Sequence, residues 1–305
     1  MNLRTTDKPI AGCFLAAAAM LTHAGCAAAD TGAPAPAACD VAQLAHGQAL
    51  MSIPFRIVHG RVYIEADVNG QGPFTFAVDT GASGLGRADA SLTEALGLPV
   101  RDKAETSDGV TVSEVDTVHL ESLNVGGVVR TDLELISRDY SGSAPAGAEI
   151  SGIVGRGYFG DGLLVIDFPN RTLAFSRTVE LSDANDGALA YERPYRIPVS
   201  IGGVEMEANL DTGAGVALVL PQAIYDQVSS VPLESAGRAR LTNTTVETGL
   251  GIVPGPVMIG EAVVSNAAAR VSERFPEPVI GGQILQDYVI AIDQRSKRVA
   301  VCPGA

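Results

Sequence analysis

The sequence predicts an all-β protein assembled from two related halves, and three observations carry that prediction. Gly 34 and Pro 17 are scattered along 305 residues with 46% hydrophobic content, a composition suited to many short strands and turns around a real core. The tetrapeptide Asp79-Thr80-Gly81-Ala82 returns as Asp211-Thr212-Gly213-Ala214, each copy closing a run that alternates at strand period. Finally, Gly155 to Phe175 aligns without a gap on Gly281 to Val301, at an offset of 126 (281 − 155). The two motif aspartates are offset by 132 (211 − 79), close to the same repeat.

The chain opens with Arg4 and Lys8 ahead of an apolar run from Ile10 to Leu21, too short for a permanent bilayer span. Residues 1–29 read as an export signal, which places the mature chain in the periplasm or cell envelope of a bacterium. Two processing routes are open. Ala27-Ala28-Ala29 suits an ordinary signal peptidase, whereas Ala24-Gly25-Cys26 makes Cys26 a candidate for lipidation and membrane anchoring. His23 stands where a lipoprotein signal usually has Leu.

Of the four cysteines, Cys13 leaves with the signal and Cys26 is removed or lipidated. Cys39 and Cys302 remain, one near each mature end, in an oxidising compartment. A disulfide between them is expected, with two free thiols as the alternative. Lys+Arg 21 against Asp+Glu 35 gives a net charge of −14. That balance argues against a nucleic-acid partner and against electrostatic adhesion to anionic lipid.

Residues 30–49 are rich in Ala and Pro and read as a linker. They include a third copy of the motif, Asp30-Thr31-Gly32-Ala33, with no strand before it. This copy is read as accidental, and it shows how little the tetrapeptide carries by itself. The first half spans 50–179. Strand patterns run over Ile53–Val58, Arg61–Val68 and Phe74–Val78, and a helical pattern over Ala88–Leu96 stops at Gly97 and Pro99. Ser107-Asp108-Gly109 reads as a hairpin tip and Val125-Gly126-Gly127-Val128 as a turn. Residues 180–196 are polar and read as the connection to a second half at 197–303. There the second motif leads into a helix opened by Pro221, and Thr242-Asn243-Thr244-Thr245 marks another hairpin tip.

Each acidic motif residue sits where a half-buried strand enters a glycine turn, and each half supplies one. Two carboxylates about 3 Å apart cannot both ionise, so such a pair shares a proton and titrates in two separated steps. The ionised member can take a proton from water while the protonated member polarises a carbonyl. The scheme needs no metal or cofactor, and the motifs have no His nearby in sequence.

Asp-Thr-Gly-Ala followed about 70 residues later by two apolar residues and Gly, all of it twice in one chain, resembles the retropepsin-like and pepsin-like aspartic peptidases. The likeness extends over roughly residues 50–303 and is greatest to bacterial retropepsin-like proteins with two such units. The resemblance implies a two-lobed acid-protease fold with pseudo-two-fold related β lobes, a short helix after each motif, and Asp79 and Asp211 as catalytic pair. It implies that Thr80 and Thr212 reach across to the opposite lobe's backbone. Gly81 and Gly213 would let the backbone pass the carboxylates, with Ala82 and Ala214 completing the supporting loops. Ile153, Val154 and Gly155, and Val279, Ile280 and Gly281, would pack beneath the two loops.

Pepsin-like enzymes usually carry Ser or Thr where Ala82 and Ala214 stand, so a hydroxyl donor is missing beside each carboxylate and activity is expected toward weakly acidic or neutral pH. The resemblance also implies an endopeptidase acting on extended polypeptide as a monomer, with hairpin flaps over the site. The alternative is a non-catalytic peptide-binding envelope protein of the same fold.

Overall fold

A computed structural model describes residues 35–142 and 144–304. The export-signal reading of 1–29, the candidate Cys26 and the third motif copy at Asp30 lie outside the described residues. Among the described residues no helix is long and apolar enough to cross a membrane.

Strand dominates, in three sheets. An eight-stranded sheet is built wholly between Arg56 and Gly155, and a nine-stranded sheet wholly between Arg196 and Gly281. The central pairings of the two sheets correspond. Strand Gln71–Asp79 runs parallel to Gly152–Gly155, which runs antiparallel to Gly86–Asp89. In the later sheet, Val204–Asp211 runs parallel to Val279–Gly281, which runs antiparallel to Leu218–Pro221. Each motif is followed by a seven-residue helix, Ala90–Leu96 and Gln222–Val228. Asp89 caps the first by accepting from the Ser91 N–H, and Gly97 ends it in the left-handed conformation.

The third sheet joins the two parts of the chain. Its six strands include Leu163–Asp167 paired antiparallel with Tyr288–Asp293, so segments 126 residues apart in the repeat meet side by side. Apolar side chains from all three sheets form one continuous core that includes Phe76, Leu120, Phe159, Ile166, Leu218 and Ile290.

The Ala/Pro-rich stretch 30–49 is more than the linker its composition suggests, because it contains a helix, Ala38–Gly47. Ala38, Val41, Ala42 and Ala45 fall at helical spacing and are buried. They pack on Leu163, Val165, Ala174, Ala291 and Ala300 of the six-stranded sheet. Cys39 of this helix forms the expected disulfide with Cys302, across a sequence separation of 263.

The polar connection 180–196 is likewise anchored. Leu189–Ala190 adds a short strand to the six-stranded sheet. Tyr191 and Tyr195 are buried edge to face with ring centroids 5.2 Å apart.

Candidate active site

Asp79 and Asp211 are each the last residue of a strand. Each lies in register with a glycine of the parallel neighbour, Asp79 with Gly155 and Asp211 with Gly281. The apolar-apolar-Gly segments brace the motif turns from below. Gly155 N–H donates to Leu85 O and Arg156 N–H to Ala82 O, while Gly281 N–H donates to Ala217 O and Gly282 N–H to Ala214 O. Ile153, Val154 and Ile280 beside them are buried, whereas Val279 is half-buried.

The turns are tied to each other by their threonines. Thr80 Oγ1 donates to Leu210 O at 2.9 Å and accepts from Thr212 N–H at 3.0 Å. Thr212 Oγ1 donates to Val78 O at 2.8 Å and accepts from Thr80 N–H at 3.2 Å. Both hydroxyls use their donor and their lone pair across a separation of about 130 residues. At 2% and 0% exposure they leave no room for water to compete.

This exchange brings each motif's carboxylate up against the other motif's glycine, Asp211 against Gly81 and Asp79 against Gly213. Glycine is required at the turn. A Cβ on Gly81 would stand 2.7 Å from the carboxylate oxygens of Asp211, and one on Gly213 would collide with the carboxylate of Asp79. Asp79 Oδ1 accepts from Ala82 N–H at 2.9 Å, and Asp211 Oδ1 accepts from Gly213 N–H at 2.8 Å. With Ala at 82 and 214, the motif turns supply backbone donors and no hydroxyl from those positions.

Burial drives the Asp211 carboxyl well above the ordinary carboxylate range, and the facing Asp79 charge adds to the rise. The N–H groups of Gly213 and Ala214 offset part of it. The stability consequence has a definite sign. Folded Asp211 keeps its proton where the unfolded chain, with Asp near about 3.9, has lost it. Its contribution to stability is full below that unfolded value and is lost as pH rises through the folded one. Asp211→Asn removes the penalty, so the variant should melt with wild type near pH 4 and above it near pH 8, by the equivalent of about 1–3 kcal/mol. Thermal unfolding at the two pH values checks this; a variant no more stable than wild type at pH 8 contradicts it.

The two hairpin tips meet. Asn243 N–H donates to Asp108 Oδ2 at 2.7 Å, and its amide Nδ2 donates to Thr106 O and Thr111 O at 2.8 and 2.7 Å. Arg138 Nη1 donates to Thr242 O and Asn243 Oδ1, both at 2.6 Å. The carboxyl of Asp108 is partly desolvated, which raises it, but N–H groups from Thr111, Asn243, Val110 and Thr244 together hold it below its usual value.

Three groups near the motifs escaped the sequence reading. Arg156 Nη1 donates to Gly81 O at 3.0 Å, fixing the first motif turn from outside. The signal for it was present, since the repeat sets Arg156 opposite Gly282. Arg87 binds Ser83, and Tyr140 packs, as Ala82 does, against the cluster of Tyr63, Ala77, Ile150 and Ile153. These follow from contacts that no local pattern announces.

The profile of the family described as Aspartyl protease matches residues 64–168, from within strand Arg61–Val68 through the first motif and its bracing strand. An aspartyl protease domain is thus detected in the first part of the chain. The match supports protease activity, and a polypeptide substrate, in general terms. No protein of curated function matches the chain.

Proposed function

We propose that the chain is an aspartic endopeptidase that works as a monomer on extended polypeptide in the cell envelope. Residues 50–179 and 197–303 form two lobes related by a pseudo-two-fold axis, with 180–196 between them, and each lobe contributes one aspartate. The single observation that carries this reading is that each motif's carboxylate lies against the other motif's glycine, Asp211 at Gly81 and Asp79 at Gly213. The corresponding strand pairings around the two motifs support the two-lobed arrangement.

In this reading the pair holds one proton. The ionised carboxylate takes a proton from a water as its oxygen bonds to the peptide carbonyl carbon. The protonated carboxyl donates to the carbonyl oxygen, giving a tetrahedral gem-diol. Collapse breaks the carbon–nitrogen bond, a proton passes to the leaving amine, and the pair returns to its starting state. The hairpin tips close over the cleft and exclude water, which strengthens the electrostatics of the pair. Thr80 and Thr212 hold the two turns at a fixed separation, so the carboxylates need not reorganise during the reaction.

The test is digestion of a mixed peptide library by the purified mature protein between pH 3 and 7, with and without a statine-type inhibitor. Cleavage that the inhibitor suppresses is expected. A protein that binds peptides and cuts none would overturn the peptidase reading in favour of the binding protein.

A further inference from the structure

Beside the first motif, hydrogen-bond donors outnumber the acceptors available to them. Arg87 lies in the strand that follows the motif turn, and Arg138 ends the strand paired with it, with Asp89 in register with Arg138. Arg87 Nη1 donates to Ser83 O at 2.6 Å and Gly86 O at 2.9 Å, and Nη2 donates to Ser83 Oγ at 3.1 Å. Arg138 spends only Nη1, on the second hairpin tip. A guanidinium has five N–H donors, so both retain unused ones. Among the described residues neither is paired with a carboxylate.

Tyr140, like Ala82, packs against the cluster of Tyr63, Ala77, Ile150 and Ile153, and it lies within electrostatic reach of Arg87, Arg138, Asp79 and Asp89. Its hydroxyl has no hydrogen-bond partner among the described residues. The carboxylates within electrostatic reach of Tyr140, Asp89 and Asp79, are already committed. Asp89 is buried and accepts from Ser91 N–H and Oγ–H and from the N–H groups of Tyr140 and Ser141. Asp79 faces Asp211.

Some cations elsewhere are paired with carboxylates of this chain. Arg130 and Arg177 converge on Asp161, and Arg295 pairs with Asp293. In a chain of net charge −14, two guanidinia without an acid partner beside the motif call for one from outside. A planar fork of donors matches a carboxylate best.

We propose that Arg87 and Arg138, with the Tyr140 hydroxyl, receive an Asp or Glu side chain of the bound polypeptide, so that the protein selects acidic segments. The proposal rests on the peptide-binding cleft of the preceding section but not on cleavage. The overall negative charge does not forbid it. At physiological ionic strength charges beyond about 8 Å are largely screened, while contact pairs are not.

The experiment uses peptide pairs that differ by one Glu→Gln change at each position flanking the cut. Two readouts are taken, kcat/KM with wild type and Kd with the Asp79→Asn protein by fluorescence anisotropy. At one position Glu should be favoured by about tenfold, the ratio falling as salt is raised. In Arg87→Gln and in Arg138→Gln that ratio should collapse toward one. The salt dependence in wild type needs no variant and stands even if a substitution disturbs the hairpin tips. Ratios within twofold at every position, or a ratio undiminished in both arginine variants, would overturn the proposal. Glu preference in binding without any cleavage would sink the peptidase reading and leave this one standing. Cleavage without Glu preference would do the reverse.

Discussion

Asp79→Asn and Asp211→Asn are each expected to lower kcat by about 10³–10⁴-fold, with little change in KM, and the double variant should lose hardly more than either single one. In the proposed mechanism the two groups act as a unit. One carboxylate must be ionised to take a proton while the other holds one to give. An Asn at either position cannot change role within the cycle, so the surviving Asp has no partner for the exchange. The fold should tolerate both changes, because Asn is nearly isosteric and the turns are held by the threonine exchange and by the backbone donors of Ala82 and Gly213. Initial rates on one cleaved peptide, with circular dichroism to confirm folding, check the prediction. Full activity in either variant would contradict it, as would strictly additive losses.

The second large effect concerns stability. Removing the disulfide with Cys39→Ala and Cys302→Ala should cost about 2–5 kcal/mol. The bond joins residues 263 apart, so it restrains the unfolded chain over nearly all of the described residues. It also has local work to do. Helix Ala38–Gly47 docks through three alanines and one valine, and each alanine methyl returns only about 0.8 kcal/mol on burial. So small a contact face holds a ten-residue helix poorly without a covalent tie. Hydrogen exchange should therefore show residues 38–47 losing protection first in the reduced or substituted protein, and the melting temperature should fall. Unchanged protection there would place the helix's anchorage elsewhere.

Much of this was legible in the sequence, for identifiable reasons. The strand before the second motif alternates because one face is buried, whereas Phe76, Ala77 and Val78 before the first are buried on both faces, and the gapless alignment of Gly155–Phe175 on Gly281–Val301 reflects matching pairings around the two motifs. The helix stop at Gly97 was readable because a left-handed residue there suits Gly. Helix Ala38–Gly47 was not legible, since alanine and proline mark loops as readily as helices and the face that buries Val41 belongs to residues 163–300. The anchors Tyr191 and Tyr195 were hidden within a polar stretch. Arg87, Arg138 and Tyr140 gather at the first motif only through long-range pairing, and their spacing follows no local period. The meeting of the hairpin tips through Asn243 belongs to the same class. The two tips were readable as turns, but nothing in either one specifies the other.

The absence of a hydroxyl at Ala82 and Ala214 bears on the working range of the site. The carboxylates lack the extra donor that would favour their charged forms, and burial with mutual repulsion raises the proton affinity of the pair. The most direct measurement is therefore kcat/KM of wild type on a single peptide from pH 2.5 to 8.5. A shared-proton pair predicts a bell with two limbs, its alkaline limb lying above the ordinary carboxylate range and its maximum at weakly acidic to neutral pH. An optimum below about pH 3, under the unperturbed Asp value near 3.9, would contradict the raised working range, and a rate that climbs past pH 8 without a limb would contradict the assignment of Asp79 and Asp211 as that pair.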